Sequence, residues 1–311
     1  MSINAVELTN VTKTFGEKVA VSNLDLQIPE GAIYGFIGPN GSGKTTTIRM
    51  ILRIFRPDTG RVTVMGSDHG DCADDRIGYL PEERGLYPKM TVKSVLQYYA
   101  RLKGNYNCNP DIDDWLKRLG GDGWQNKKIE SLSKGMAQKV QFISSIIARP
   151  QLLILDEPFS GLDPVNLELL RTAILKLRED GTTIIFSTHD MDVAERMCDT
   201  VFMILNGNKV LDGTLNSIQS EYPADELKIR VAEGQQLPGN MPGVISVEKR
   251  GQFNIVKLNS ADDVERVLQQ LVKSCKVEHF ELLRPSLHNI FVRLAGDEAA
   301  AAISQPVLAE A

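Results

Sequence analysis

At 311 residues the chain is long enough for about two domains and at least one sizeable core, which excludes a small disulfide-stapled or metal-stapled module. Its 35 Lys and Arg against 40 Asp and Glu give a net charge of -5, so bulk charge lends no support to a nucleic-acid-binding surface. The most apolar stretches, Phe142 to Ala148 and Val201 to Leu205, fall far short of the roughly 18 to 20 residues that a membrane-spanning helix needs.

The opening MSINAVELTN lacks the basic and then apolar pattern of a secretory signal. Cys72, Cys108, Cys198 and Cys275 are scattered with no C-x-x-C pair, so reduced thiols and a cytosolic setting are expected.

Through the first 220 or so residues, short aliphatic and β-branched runs alternate with helical patterns, which predicts an α/β domain with a largely parallel sheet. AIYGFIG reads as a buried strand and KTTTIRMILRIF as the helix after it. From about 87 to 148 the pattern is mostly helical, predicting a helical subdomain inserted into the core. After Asp163, a capping residue, Pro164 at the first helical position and Val165, Leu169, Ala173 and Leu177 at helical spacing predict a helix that Gly181 ends. Asn206-Gly207 between apolar runs predicts a hairpin. Beyond Pro223, ELKIRVAE, VISVEKR and FNIVKLN alternate as strands, and DDVERVLQQLVKSC and VEHFELL add a helix and a strand. A small α+β domain over 223–296 is expected, with a disordered tail over 297–311.

The chemistry begins at Gly38-Pro39-Asn40-Gly41-Ser42-Gly43-Lys44-Thr45, which matches G-x-x-x-x-G-K-[ST] between a predicted strand and a predicted helix. Glycines let successive N–H groups point at phosphate oxygens, Lys44 reaches the terminal phosphates, Thr45 suits magnesium, and Thr46 extends the nucleotide contact. LLILDEP is a buried strand ending in two carboxylates at the edge beside that loop. Asp156 suits magnesium and Glu157 the attacking water.

The phosphate loop, SLSKGMAQ, LLILDEP, SGLDP and STHD, in this order and spacing, resemble the ATP-binding subunit of an ABC transporter over residues of about 5 to 220. The resemblance implies an ABC-type P-loop NTPase core over 1–222. It implies that Ser133 and Gly135 contact the γ-phosphate of ATP held by a second subunit, that His189 contacts the γ-phosphate in its own subunit, and that Asp163 helps to couple the two sites. Lys134 and Met136 depart from the family's signature; Lys134 is either an added cation near phosphate or a solvated side chain. Phe15 stands where the family stacks an aromatic ring on adenine, with a core aromatic as the competing reading. Glu82 stands where the family has a glutamine that touches magnesium and water; the alternative is that Glu82 points to solvent and Glu83 makes the hydrogen bonds.

The function so implied is ATP hydrolysis with Mg2+ by a homodimer or heterodimer that sandwiches two ATP. It drives an integral membrane permease on a separate chain, for export, from the cytoplasmic face of the membrane, with no nucleic-acid partner. The rival readings are a soluble ABC-type ATPase in regulation, translation or repair, and a binding module with a degenerate site. The C-terminal domain, whose His279 and His288 stand too far apart in sequence to suggest a metal pair, is expected to regulate or to support the dimer.

Overall fold

The structure is a computed structural model that describes residues 4–68, 74–83, 85–222, 224–239 and 241–303. The chain divides into two compact units, Met1–Thr214 and Leu215–Ala311, so the division falls ahead of the residue-222 boundary read from the sequence.

In the first unit, β1 (Asn4–Phe15) and β2 (Lys18–Pro29) form a hairpin closed at Gly16-Glu17. β3 (Ile33–Ile37) leads through the glycine-rich loop into α1 (Lys44–Ile51), followed by β4 (Thr59–Val64), β5 (Ser67–Asp68) and β6 (Ile77–Leu80). The helical subdomain holds α2 (Val92–Leu102), α3 (Asn109–Arg118), a 3-10 turn at Ile129–Ser131 and α4 (Lys134–Ile146). Then come β7 (Leu152–Asp156), α5 (Pro164–Glu179), β8 (Thr183–Thr188), α6 (Met191–Met197), β9 (Thr200–Leu205) and β10 (Asn208–Thr214).

Among the described residues the strands of this unit form two sheets. One has the order β10-β9-β3-β8-β7-β6 and is parallel except for β10, as the alternation of strands and helices predicts. The other, β2-β1-β4-β5, is wholly antiparallel and was not separated in the sequence reading, because local patterns do not say which strands pair. Strands β3, β7 and β8 are buried along their whole length, since layers cover both faces of the parallel sheet. Alternation divides their side chains: Tyr34, Phe36, Ile154 and Ile185 pack toward α1 and the antiparallel sheet, whereas Leu153, Leu155, Ile184 and Phe186 pack toward α5 and the helical subdomain. Phe36, fully buried and edge-on to Phe202 at 5.0 Å, sits in the first layer; its truncation to Ala would cost about 3 to 5 kcal/mol.

Asp163 caps α5 by accepting from the Val165 and Asn166 N–H groups, as its sequence predicts. Of the helix face read from spacing, Ala173 and Leu177 are buried, Leu169 is half-buried and Val165 is 70% exposed; Leu170 and Ile174 complete the buried stripe instead.

The second unit consists of α7 (Leu215–Ser220), β11 (Glu226–Val231), β12 (Val244–Arg250), β13 (Phe253–Leu258), α8 (Asp263–Ser274), β14 (Val277–Leu283) and α9 (Leu287–Ile303). Its antiparallel sheet, β12-β13-β11-β14, buries Leu227, Ile229, Val256 and Leu258 against Val267 and Leu271 of α8. α9 breaks at Gly296 and continues to Ile303, so the tail expected from 297 begins as helix; residues 304–311 lie outside the described residues, as does Cys72. Cys108, Cys198 and Cys275 are free thiols.

Candidate active site

The fully buried β3 ends at Ile37, and the loop from Gly38 to Gly43 turns back to start α1 at Lys44. Glycine is required at two points of closest approach. A Cβ at Gly38 would stand 2.3 Å from the Ile204 carbonyl oxygen, and one at Gly43, where φ is 117°, would stand 2.5 Å from the Ala20 carbonyl oxygen. The loop is braced from behind by the hairpin turn Asn206-Gly207, whose two residues both have positive φ. The Gly207 N–H donates to the Ser42 carbonyl at 2.9 Å, and the Gly207 carbonyl accepts from the Ser22 N–H at 2.8 Å.

In front of the loop lies a cleft of about 350 Å³, lined by Phe15, Lys18, Ala20, Asn40, Gly41, Gly43, Lys44, Thr45, Thr46, Glu82, Asp156 and Glu157. The sequence-predicted Phe15, Lys44, Thr45, Thr46, Glu82, Asp156 and Glu157 therefore meet in one place. Gly38, Pro39 and Ser42 form the back of the loop rather than the lining. Lys44 Nζ donates to the Gly38 and Pro39 carbonyls at 2.6 and 3.1 Å, and the Ser42 hydroxyl is buried with no hydrogen-bond partner among the described residues. Burial holds the Lys44 ammonium below the usual lysine range, while Glu157, Asp156 and Glu82 act in the opposite direction.

Across the cleft, Asp156 ends β7, and its register partner Ser187 on β8 donates its hydroxyl proton to the carboxylate. The same Ser187 Oγ accepts the Glu157 N–H at 3.1 Å. Burial raises the Asp156 pKa, the Ser187 hydrogen bond opposes the rise and the neighbouring Glu157 charge adds to it. Glu157 is almost wholly buried and adopts positive φ; its Oε1 lies 2.8 Å from His189 Nδ1. That contact raises the His189 pKa above its ordinary value, against a smaller opposing effect of burial.

Glu82 lines the cleft and is at the same time exposed to solvent. Its pKa is raised, first by desolvation and then by the charges of Asp156 and Glu157. Glu83 contributes its main-chain carbonyl, which accepts from Gln141. Phe15 is 45% exposed and edge-on to Phe55 at 5.3 Å, so the core reading does not hold for it.

Ser133 and Gly135 do not line this cleft. Ser133 caps α4, accepting the Met136 N–H at 3.3 Å, with its side chain otherwise open to solvent. A Cβ on Gly135 would stand 3.4 Å from Asn166 Nδ2, so the start of α4 lies against the start of α5. Lys134 is exposed and makes no hydrogen bond or ion pair among the described residues.

Three lining or bridging residues, Lys18, Ala20 and Ser187, escaped the sequence reading. Lys18 faces the cleft because it pairs with Phe15 across the hairpin, which puts both side chains on one face. Ser187 stands inside STHD, but only its register with Asp156 reveals what it does.

The arrangement offers one buried ammonium and a nest of loop N–H groups to an anion, and opposite them two buried carboxylates. That is the equipment for binding a phosphate chain and directing water at its end. A profile described as ABC transporter matches residues 21–160, and one described as the C-terminal domain of DrrA1-3-like ATP-binding proteins matches 213–295. The chain is 40% identical over 291 residues to YhaQ, an ABC transporter ATP-binding protein of Bacillus subtilis, covering 93% of this chain and 98% of that protein. It is 30% identical over 305 residues to the Nod factor export ATP-binding protein I of Rhizobium etli, covering 96% and 95% respectively. Among solved structures, a dimeric post-hydrolysis state of an ATP-binding cassette with ADP and Pi matches at a TM-score of 0.62 and 28% identity, over 68% of this chain and 98% of that one. The chain belongs to the ATP-binding proteins of ABC transporters, and it is an ATPase subunit of that family.

Proposed function

We propose that this chain holds ATP at Phe15, the Gly38–Thr46 segment and Lys44, and hydrolyses it in a dimer whose partner supplies Ser133 and Gly135. On this reading it drives an export permease on a separate chain from the cytoplasmic face of the membrane. Among the described residues no helix is long and apolar enough to cross a membrane. The name of the Nod factor export relative supports the direction. The observation that carries the reading is the buried Glu157, held by His189 on the same cleft as Lys44.

Lys44 exchanges its bonds to the Gly38 and Pro39 carbonyls for phosphate oxygens when the nucleotide enters. Glu157 accepts the proton of the water that attacks the terminal phosphorus; the new P–O bond forms as the bond to the bridging oxygen breaks, and the electron pair leaves on ADP. His189, which is not itself among the lining residues, holds Glu157 in position through Oε1.

Mg2+ suits the donors present. Three carboxylates, Asp156, Glu157 and Glu82, line the cleft with the buried Lys44 and the exposed Lys18, and burial first, with neighbouring carboxylate charge adding to it, raises the pKa values of Asp156 and Glu82. Thr45, Asp156 and Glu82 would hold the ion, with water and phosphate oxygens completing its shell, and it would neutralise charge on the phosphates.

The test is Glu157→Gln, which keeps shape and hydrogen bonding and removes the base. Turnover should fall at least a hundredfold, on the order expected for loss of a general base, while light scattering shows a dimer that forms only with ATP. Adding Ser133→Arg should return that protein to monomer. Wild-type turnover in Glu157→Gln, or no nucleotide-dependent dimer, would overturn the reading.

A further inference from the structure

α4 carries more than the Ser133 cap. Two glutamines on one face of it, Gln138 and Gln141, are 5% and 4% exposed, and each sends its amide into a loop of the chain's own cleft. Gln138 Nε2 donates to the carbonyl of Pro158, the residue after Glu157, at 3.3 Å. Gln141 Nε2 donates to the carbonyls of Pro81 and Glu83, at 3.4 and 3.0 Å, and so grips the main chain on both sides of Glu82.

The grip is costly. Gln141 Oε1 is buried with no partner among the described residues, and an orphaned buried acceptor leaves its desolvation uncompensated. An apolar side chain of similar size would pack there without that penalty, so the amide is poorly explained by stability alone. Its donors are spent on the segment that carries Glu82.

We propose that Gln141 is a positioning residue that fixes Glu82 in the cleft from α4, the helix whose first turn bears Ser133 and Gly135. The inference rests on the reading of those residues given above. It makes α4 a rigid link: a nucleotide of the partner subunit that seats on Ser133 and Gly135 bears on the helix that also holds Glu82 and, through Gln138, the segment after Glu157. Gln141 itself is buried and does not line the cleft.

The experiment is a double-mutant cycle on the full chain with Gln141→Leu, Glu82→Ala and the pair, read as kcat and KM for ATP with magnesium. Gln141→Leu should lower kcat by about tenfold or more, the scale of a small misplacement of a reacting group, and change KM much less. In the Glu82→Ala background the same substitution should have almost no further effect. A side chain that merely filled space would give the same fold-loss in both backgrounds, and that result would overturn the proposal. So would a wild-type kcat in Gln141→Leu, or in Glu82→Ala, where nothing would remain to be positioned. If Gln141→Leu lacks a cooperative melt, Gln141→Asn, which keeps the amide and shortens the arm, completes the same cycle. The Glu157→Gln dimer test stands apart from this cycle, so failure of one does not imply failure of the other.

Discussion

Glu157 Oε1 and His189 Nδ1 lie 2.8 Å apart, and the histidine is the partly exposed member of the pair while the carboxylate is buried. The hydrogen bond favours the protonated ring, so the pKa of His189 lies above its ordinary value of about 6.5.

A group raised in the folded state adds stability that is complete below its unfolded pKa and is lost as pH climbs through the folded one. The difference in Tm between wild type and His189→Ala should therefore be largest below about pH 6.5 and shrink above it. Proton NMR of the His189 ring should also show its pKa falling in Glu157→Gln. An unchanged titration there would remove Glu157 as the cause.

Ser187→Ala takes the hydroxyl from Asp156 and one of two acceptors from the Glu157 N–H, which retains the Ser187 carbonyl at 3.2 Å. Because the site is fully buried, a loss of about 1 to 3 kcal/mol in a denaturant titration is expected, together with a lower kcat. Full stability in the alanine variant would mean that water replaces the hydroxyl.

Lys18 is the second cation on the cleft lining after Lys44, and it is exposed. Lys18→Glu should raise KM for ATP by roughly threefold to tenfold, the scale of one reversed surface charge, and the difference should narrow as salt increases. A KM independent of both charge and salt would place the nucleotide away from the hairpin.

Every residue on the cleft lining belongs to the first unit. A chain ending at Thr214 should keep binding of a fluorescent ATP analogue while its dimerisation changes. Loss of binding in a truncated protein that still melts cooperatively would show that the second unit supports the cleft.

What the sequence made legible was local. The phosphate loop, the two carboxylates that end LLILDE and the Asp163 cap each depend on neighbours within a few residues, and the strings display them. Lys18 and Ser187 depend on register between strands, Phe15 with Lys18 and Asp156 with Ser187, and no local pattern reports register. Val165 misleads for a related reason: helical spacing gives the phase of the apolar face but not the point along α5 where the covering layer stops. Gln141 shows its role only through its partners at Pro81 and Glu83, which are distant in sequence.

The turn at Asn206-Gly207 gives the phosphate loop an entropic advantage. With Gly207 bonded to Ser42 on one side and to Ser22 on the other, the backbone at the rear of the loop is already fixed when the nucleotide arrives. Ordering a free loop on binding would cost about 1 to 2 kcal/mol per residue in lost backbone freedom. Here that ordering took place when β9 paired with β10, so affinity for nucleotide depends in part on a hairpin far along the chain that never meets the ligand.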